Sequence, residues 1–354
     1  MTVPPFCIIR VSVTAATAKG HWRSAGISGD LAVGEVVLVQ DLIKRYKELT
    51  ALDGLNLSVH EGEIFGLLGP NGSGKTTTIN CILGLLKYDG GSIRVFGEEM
   101  TPDSFRLRRR IGIVPQAIAV SDELTVQENI DFFCGLYVDD RKKRRQLVEE
   151  AIRFTGLEQF RRFRPKKLSG GLLRRLNIAC GIAHQPDLIF MDEPTVAVDP
   201  QSREHILDGI RQLRERGATV IYTTHYMEEV EQICDRIAII DKGKNVALGT
   251  LQELKQLVKY TETIQMDLPG TMAPDSAAES FRPVMEQLRA LPHTASAQMD
   301  GSRLTVVCSG GTGNLMQILQ VLENRKISFR NVTATQPSLN DVFMEITGRE
   351  LRDV

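Results

Sequence analysis

The sequence predicts an α/β fold in which a phosphate-binding loop joins a buried strand to a helix. Three observations carry that expectation. The apolar run Ile64-Phe65-Gly66-Leu67-Leu68 leads directly into Gly69-Pro70-Asn71-Gly72-Ser73-Gly74-Lys75-Thr76-Thr77, which satisfies G-x-x-x-x-G-K-[ST]. Two further apolar runs, Leu188–Met191 and Ala218–Thr224, end in Asp192-Glu193 and in His225. Polar groups at the C-terminal ends of buried parallel strands are where α/β folds place ligand-binding residues.

In the loop, glycines let successive backbone N–H groups turn toward one anion. Lys75 is expected to reach the β- and γ-phosphates, and the Thr76 hydroxyl to ligate Mg²⁺. The helical run from Thr77 to Leu83 turns the positive end of its dipole to the same anion. These features point to a nucleoside triphosphate.

The chain has 354 residues, 42% hydrophobic and 25% charged, with a net charge of −1. Length favours about two domains. The charge balance lacks the basic excess of a nucleic-acid binder, so no nucleic-acid partner is expected. Six cysteines (Cys7, Cys81, Cys134, Cys180, Cys234, Cys308) are scattered singly without a C-x-x-C pair, as core thiols of a reducing compartment are. No run approaches 18 uninterrupted apolar residues, so any membrane pore belongs to another polypeptide.

Taken in order, residues 1–34 show no sustained periodicity and are read as a poorly ordered extension; their first charge, Arg10, falls inside the apolar segment rather than before it, unlike a signal peptide. Glu35–Gln40 reads as a strand, and Leu52–Val59, alternating apolar and polar, as a half-exposed strand of an antiparallel sheet. Tyr46 beside them either stacks on a base or caps this small sheet. Gly90–Gly97 and Ile111–Gln116 contribute a turn with a short strand and a strand ended by Pro115.

From about Glu123 to Arg164 the pattern is helical, with Thr125 and Glu128 at capping-box spacing and Ile130, Phe133, Cys134 and Tyr137 on one face. The basic run Arg141–Arg145, followed by Glu149 and Glu150, reads as a solvated helix face. Leu168-Ser169-Gly170-Gly171-Leu172 opens the next helix, either as a plain N-cap or as a second anion site. Asp192 suits a Mg²⁺ shell and Glu193 the deprotonation of an attacking water, unless the two acids merely begin a turn. Asp199 and Pro200 lead into another helix, and Ile237–Lys244 closes the region as a hairpin.

Together these motifs resemble the ATP-binding subunit of an ABC (ATP-binding cassette) transporter over residues 35 to about 260. The resemblance implies a P-loop NTPase fold with an antiparallel β subdomain and a helical subdomain at about 117–164. In family terms Tyr46 matches the adenine-stacking aromatic, Gly69–Thr77 the Walker A loop, Gln116 the glutamine that couples Mg²⁺ to the membrane partner, and Leu168–Leu172 the signature with Ser169, Gly170 and Gly171. Asp192 and Glu193 match the Walker B pair with its catalytic glutamate, Asp199 the D-loop, and His225 the switch histidine. The implied cofactors are ATP and Mg²⁺, the latter held by Thr76, Gln116 and Asp192. The implied partners are a second cassette, identical or related, that sandwiches two ATP molecules, and integral-membrane permease subunits that hold the chain at the cytoplasmic face of the membrane.

Two departures stand out: the signature ends in Leu172 where most of the family has Gln, and the D-loop reads Ala-Val-Asp rather than Gly-Leu-Asp. Both resemble the drug- and antibiotic-export subfamily, as does Thr223-Thr224-His225-Tyr226-Met227-Glu228-Glu229. Residues 261–354 are expected to form a small α+β domain, with strands near Thr263–Leu268, Leu304–Cys308 and Ile327–Phe329, helices near Pro283–Leu291 and Leu315–Leu322, and a closing helix in Pro337–Gly348. The competing class, a soluble ABC ATPase acting on ribosomes or DNA, normally carries two cassettes, long coiled coils or zinc cysteines, and this chain has none of these.

Overall fold

The structure, a computed structural model, describes residues 34–101, 103–268, 277–310 and 313–348. Apart from Gly34, the N-terminal extension expected at 1–34 lies outside the described residues.

An antiparallel sheet in the order β2-β1-β4-β5 is built from β1 (Glu35–Tyr46), β2 (Leu49–His60), β4 (Gly90–Val95) and β5 (Glu98–Glu99). The alternation read in Leu52–Val59 is observed: Leu52, Leu55, Leu57 and Val59 are buried, while Asp53, Asn56 and His60 are exposed.

The second sheet has six strands in the order β10-β9-β3-β8-β7-β6. Its members are β3 (Ile64–Leu68), β6 (Ile111–Val114), β7 (Leu188–Asp192), β8 (Thr219–Thr224), β9 (Arg236–Asp241) and β10 (Lys244–Gly249). Strands β9, β3, β8, β7 and β6 run parallel, and β10 returns antiparallel through a tight turn in which Lys242 and Gly243 both have positive φ. Every residue of β3, β7 and β8 is buried, which is why these strands read as unbroken apolar runs. Helices α1 (Lys75–Ile82), α2 (Phe105–Arg108), α6 (Pro200–Glu215) and α7 (Met227–Ile233) accompany this sheet.

A helical layer contains α3 (Val126–Gly135), α4 (Arg141–Phe154) and α5 (Gly170–Ile182). The capping box of Thr125 and Glu128 is formed, Asp140 caps α4, and most of Arg141–Arg145 faces solvent. The layer extends past residue 164, because Leu176, Ala179 and Cys180 of α5 share one apolar cluster with Val126, Ile130, Cys134, Val148 and Ile152.

After α8 (Leu251–Lys255), the chain forms a βαββαβ unit: β11 (Glu262–Asp267), α9 (Ala277–Arg289), β12 (Thr294–Asp300), β13 (Arg303–Cys308), α10 (Asn314–Asn324) and β14 (Arg330–Thr335). Its sheet is antiparallel in the order β12-β13-β11-β14, the ferredoxin-like arrangement. Two details differ from expectation. Strand β12 was not foreseen, because only Ala297 of its seven residues is buried. The strand expected at Ile327–Phe329 begins instead at Arg330, and Ile327 and Phe329 pack against the core before it. The last described helix, α11 (Leu339–Thr347), returns to the body of the six-stranded sheet: Leu339, Val342 and Phe343 are fully buried with Leu68, Met227, Val230, Ile237 and Ile239.

Candidate functional site

Four neighbouring parallel strands, β3, β8, β7 and β6, deliver their C-terminal ends to one edge of the sheet. From these ends emerge, in turn, the loop Gly69–Gly74, His225, the pair Asp192-Glu193, and Gln116. Residues separated by more than a hundred positions thereby meet because strand order is not sequence order.

The loop closes on α1, whose N-cap Gly74 has φ 110. A side chain at that position would also meet Leu52 Cδ2 at 2.7 Å and the Ala51 carbonyl at 3.0 Å, so strand β2 lies over the loop and only glycine fits beneath it. Lys75 is 5% exposed, and its Nζ donates to the carbonyls of Gly69 (2.8 Å) and Pro70 (3.2 Å). The Ser73 hydroxyl is buried in the loop with no hydrogen-bond partner among the described residues. A buried hydroxyl without a partner is costly unless a ligand completes it, and with the N-terminus of α1 it fits a phosphate.

The Thr76 hydroxyl donates to Asp192 Oδ2 (3.0 Å), and Thr223 donates to Asp192 Oδ1 (2.6 Å). One carboxylate and one hydroxyl side by side fit Mg²⁺, which takes few protein oxygens and shares its shell with phosphate and water. Accordingly no group of three His, Cys, Asp or Glu able to hold a metal occurs among the described residues.

Glu193 is the point of convergence. Gln116 Nε2 donates to its Oε2 (3.1 Å), while Lys75 Nζ (3.7 Å) and His225 Nδ1 (3.4 Å) approach its Oε1. The residue is 6% exposed and adopts φ 45, with its N–H held by the Thr223 carbonyl and hydroxyl. A non-glycine residue in this left-handed region costs about 1–3 kcal/mol and persists only where its surroundings enforce it.

The expected residues at the starts of α5 and α6 form a second group. Ser169 caps α5, its hydroxyl accepting the Leu172 N–H at 3.3 Å, and both Ser169 and Gly170 are exposed. Gly171 is buried against the start of α6, where a side chain would meet Ser202 Oγ at 2.3 Å and Asp199 Oδ2 at 3.1 Å. Asp199 caps α6 by accepting the Ser202 N–H, and that bond holds its carboxyl below the usual range. Leu172, the departure from Gln, packs against the helical core. Tyr46 is 44% exposed at the end of β1, with Lys44 Nζ 5.1 Å from its ring centre.

Three residues that sequence reasoning passed over support the site. Arg174, buried in α5, donates to the carbonyls of Pro115 (3.2 Å) and Gln116 (2.8 Å). Asn177 donates to Pro115 and accepts from the Ala119 N–H, so α5 fixes the backbone on both sides of Gln116. Thr223 orients Asp192 and Glu193 together. The only sequence signal for Arg174 was its position one helical turn after the Gly-Gly pair.

This geometry agrees with comparison to known proteins. The family model described as "ABC transporter" matches residues 52–196. The linearmycin resistance ATP-binding protein LnrL of Bacillus subtilis (strain 168) is 37% identical over 316 residues, covering 89% of this chain and 99% of that protein. The chain belongs to the ABC transporter family.

Other ABC relatives include the daunorubicin/doxorubicin resistance ATP-binding protein DrrA of Streptomyces peucetius (37% over 318 residues; 88% of this chain, 92% of that protein). The Nod factor export ATP-binding protein I of Ralstonia nicotianae is 35% identical over 320 residues, covering 90% of this chain and 95% of its own. Among solved structures, an ATP-binding cassette captured as a dimer in a post-hydrolysis state with ADP and Pi superposes with a TM-score of 0.57 at 30% identity, covering 61% of this chain and 98% of that one. The present chain is accordingly the ATP-binding, ATP-hydrolysing subunit of an ABC transporter.

Proposed function

We propose that this subunit energises export of a drug, antibiotic or lipid-like compound through a separate membrane permease. The names of its relatives support export: two are resistance proteins and one exports a Nod factor. No described helix is long and apolar enough to cross a membrane, which fits a pore made by other subunits and a place for this chain at the cytoplasmic face. The cassette is assigned to 35–260, its helical subdomain to about 117–164 joined by α5, and the accessory domain to 261–354.

The observation that carries the chemical reading is the convergence of Lys75, Gln116 and His225 on Glu193, beside the Thr76–Asp192 pair. In this reading Glu193 accepts the proton of the attacking water, and Gln116 and His225 orient the water and the departing phosphate. Lys75 and the loop N–H groups from Gly69 to Thr77 neutralise the β- and γ-phosphates. Mg²⁺, when bound by Thr76, Asp192 and Gln116, supplies charge neutralisation across the same phosphates. Tyr46 stacks on the adenine. Ser169, Gly170 and Asp199 stand apart on the exposed start of α5 and on α6, so they serve the nucleotide of a second cassette, identical or related, packed head to tail.

Glu193→Gln tests this reading. The amide keeps the shape but cannot accept the proton, so ATP should bind while hydrolysis slows by about 10²-fold or more. ATP retained between two chains should then hold a dimer. Light scattering in ATP, with ADP as the control, measures that dimer, and co-purification of the complex from membranes measures the permease. Hydrolysis by the complex at the unmodified rate would remove Glu193 from the mechanism.

A further inference from the structure

Outside the ATP contacts, Glu229 gathers several buried side chains. It is the third residue of α7, only 2% exposed, and it touches none of the groups described above as facing phosphate. Its Oε2 accepts three hydroxyls: Tyr222 Oη at 2.7 Å, Thr195 Oγ1 at 2.9 Å and Thr224 Oγ1 at 2.9 Å. Its Oε1 faces Arg203 Nε at 3.4 Å. Arg203 also lies over the Tyr226 ring at 4.8 Å, and that ring packs on His225 with centroids 4.1 Å apart.

The positions of these partners give the cluster its meaning. Thr195 stands two residues after Glu193, Thr224 directly precedes His225, and Arg203 lies in the first turn of α6, where its N–H bonds the Asp199 carbonyl at 2.9 Å. Each of the segments carrying Glu193, His225 and Asp199 therefore sends at least one side chain to the same buried carboxylate. The phosphate loop sends none of these ligands. Tyr222 joins them from inside the sheet, with burial and the Glu229 charge holding its phenol protonated well above the ordinary range, so that it acts as a donor.

A core carboxylate that only satisfied its own helix would need one or two local donors. Here three hydroxyl donors and one guanidinium charge come from three different segments, and a carboxylate, with two acceptor oxygens and no hydrogen of its own, is the group suited to collect them. We infer that Glu229 is a positioning residue for ATP hydrolysis, keying the Glu193 turn, the His225 strand end and the Asp199 helix to one another. This rests on the assignment of Glu193 and His225 made above.

Glu229→Gln keeps the shape but replaces one oxygen with an NH₂ group, which cannot accept and cannot face Arg203 without two donors meeting. Measured on the full chain, the kcat for ATP should fall about tenfold or more, while the Kd of a fluorescent ATP analogue changes by less than about threefold, because the loop that binds phosphate is not tied to the cluster. Thr224→Val, which removes only the hydroxyl next to His225, should lower kcat several-fold with the same unchanged Kd, and it keeps the test available if Glu229→Gln does not fold. Glu193→Gln is measured alongside. If Glu193→Gln is slow but folded Glu229→Gln or Thr224→Val turns over at the unmodified rate, the positioning role is wrong and the site assignment stands. If kcat and ATP affinity fall together in step with melting temperature, the cluster is only structural and the inference fails. If Glu193→Gln itself turns over at full rate, the site assignment falls and takes this inference with it.

Discussion

Truncating Phe343 to alanine would measure how far the C-terminal helix is part of the ATPase body. Phe343 is fully buried, with Leu339 and Val342, against Leu68 at the end of β3 and Met227 and Val230 of α7. Burying three such side chains contributes about 1.5–3 kcal/mol each by transfer alone, so α11 is held far more tightly than a frayed terminus. Phe343→Ala removes the largest of the three and leaves a cavity, at a cost of about 3–5 kcal/mol. For a body of roughly 300 residues, an unfolding entropy of about 2.1 cal/mol/K per residue converts this to a fall in melting temperature of about 5–8 °C. Phe343→Leu, which keeps most of the volume, should cost under about 1.5 kcal/mol and lower it by no more than about 2–3 °C. Differential scanning calorimetry of the full chain reads both. A Phe343→Ala protein melting within about 1 °C of the unmodified chain would mean that α11 detaches freely, and the packing argument would be wrong.

Other outcomes follow from single contacts. Lys75→Ala deletes the charge held in the phosphate loop while leaving β3 and α1 intact, so circular dichroism should show a folded protein and equilibrium binding little retained ATP. Leu172→Gln trades a partly buried apolar contact for an amide and should change ATPase activity by less than about tenfold, roughly 1.4 kcal/mol of barrier. Ser169→Arg, which destroys the α5 cap and fills the anion position, should do far more damage, and equal tolerance of both would reduce residues 168–172 to a helix cap. Ala197 stands at φ 58 where the family has glycine; Ala197→Gly should shift the melting temperature by less than about 2 °C, because the relief of about 1 kcal/mol is offset by the freedom glycine gains on unfolding. Ala197→Val, branched at the same φ, should lower it by more, and calorimetry of the pair decides whether that backbone angle is enforced.

Legibility of the fold followed burial. The strands β3, β7 and β8 are buried throughout, so their apolar runs announced them, and the groups at their ends were legible as a site because the polar residue comes where the run stops. Strand β12 offered no such signal, since its neighbours β13 and α9 cover little more than Ala297. Arg174 and Arg175 look alike in sequence, and only the fold turns Arg174 inward to the Pro115 and Gln116 carbonyls. Glu228, Glu229 and Glu231 likewise look alike in sequence; Glu229 alone is drawn into the sheet, while Glu231 accepts the Leu339 N–H and pairs with Lys255. Pairings across more than a hundred residues leave no local pattern, because a single carboxylate looks the same whether its donors are near or far in the chain.

The bonds made by α5 define how movement in the helical layer reaches the phosphate edge. Its start presses Gly171 onto Asp199 and Ser202, its next turn holds the Pro115 and Gln116 carbonyls through Arg174 and Asn177, and its far half is buried with α3 and α4. Close packing on three sides makes α5 a lever rather than a spring, since well-packed side chains do not deform continuously. A rotation of the helical layer therefore carries the Gln116 backbone with it. The Gln116 side chain is bonded to Glu193, and Glu193 is anchored to Thr223 in the sheet. The hydrogen bond at 3.1 Å between Gln116 and Glu193 is thus the link that must lengthen or break when the layer turns, whereas the loop under Gly74, clasped by β2 and by the Gly243 turn through Ser73, stays with the sheet. Work done on the helical layer is therefore felt first at Glu193, the base of the proposed reaction, while the loop under Gly74 stays with the sheet.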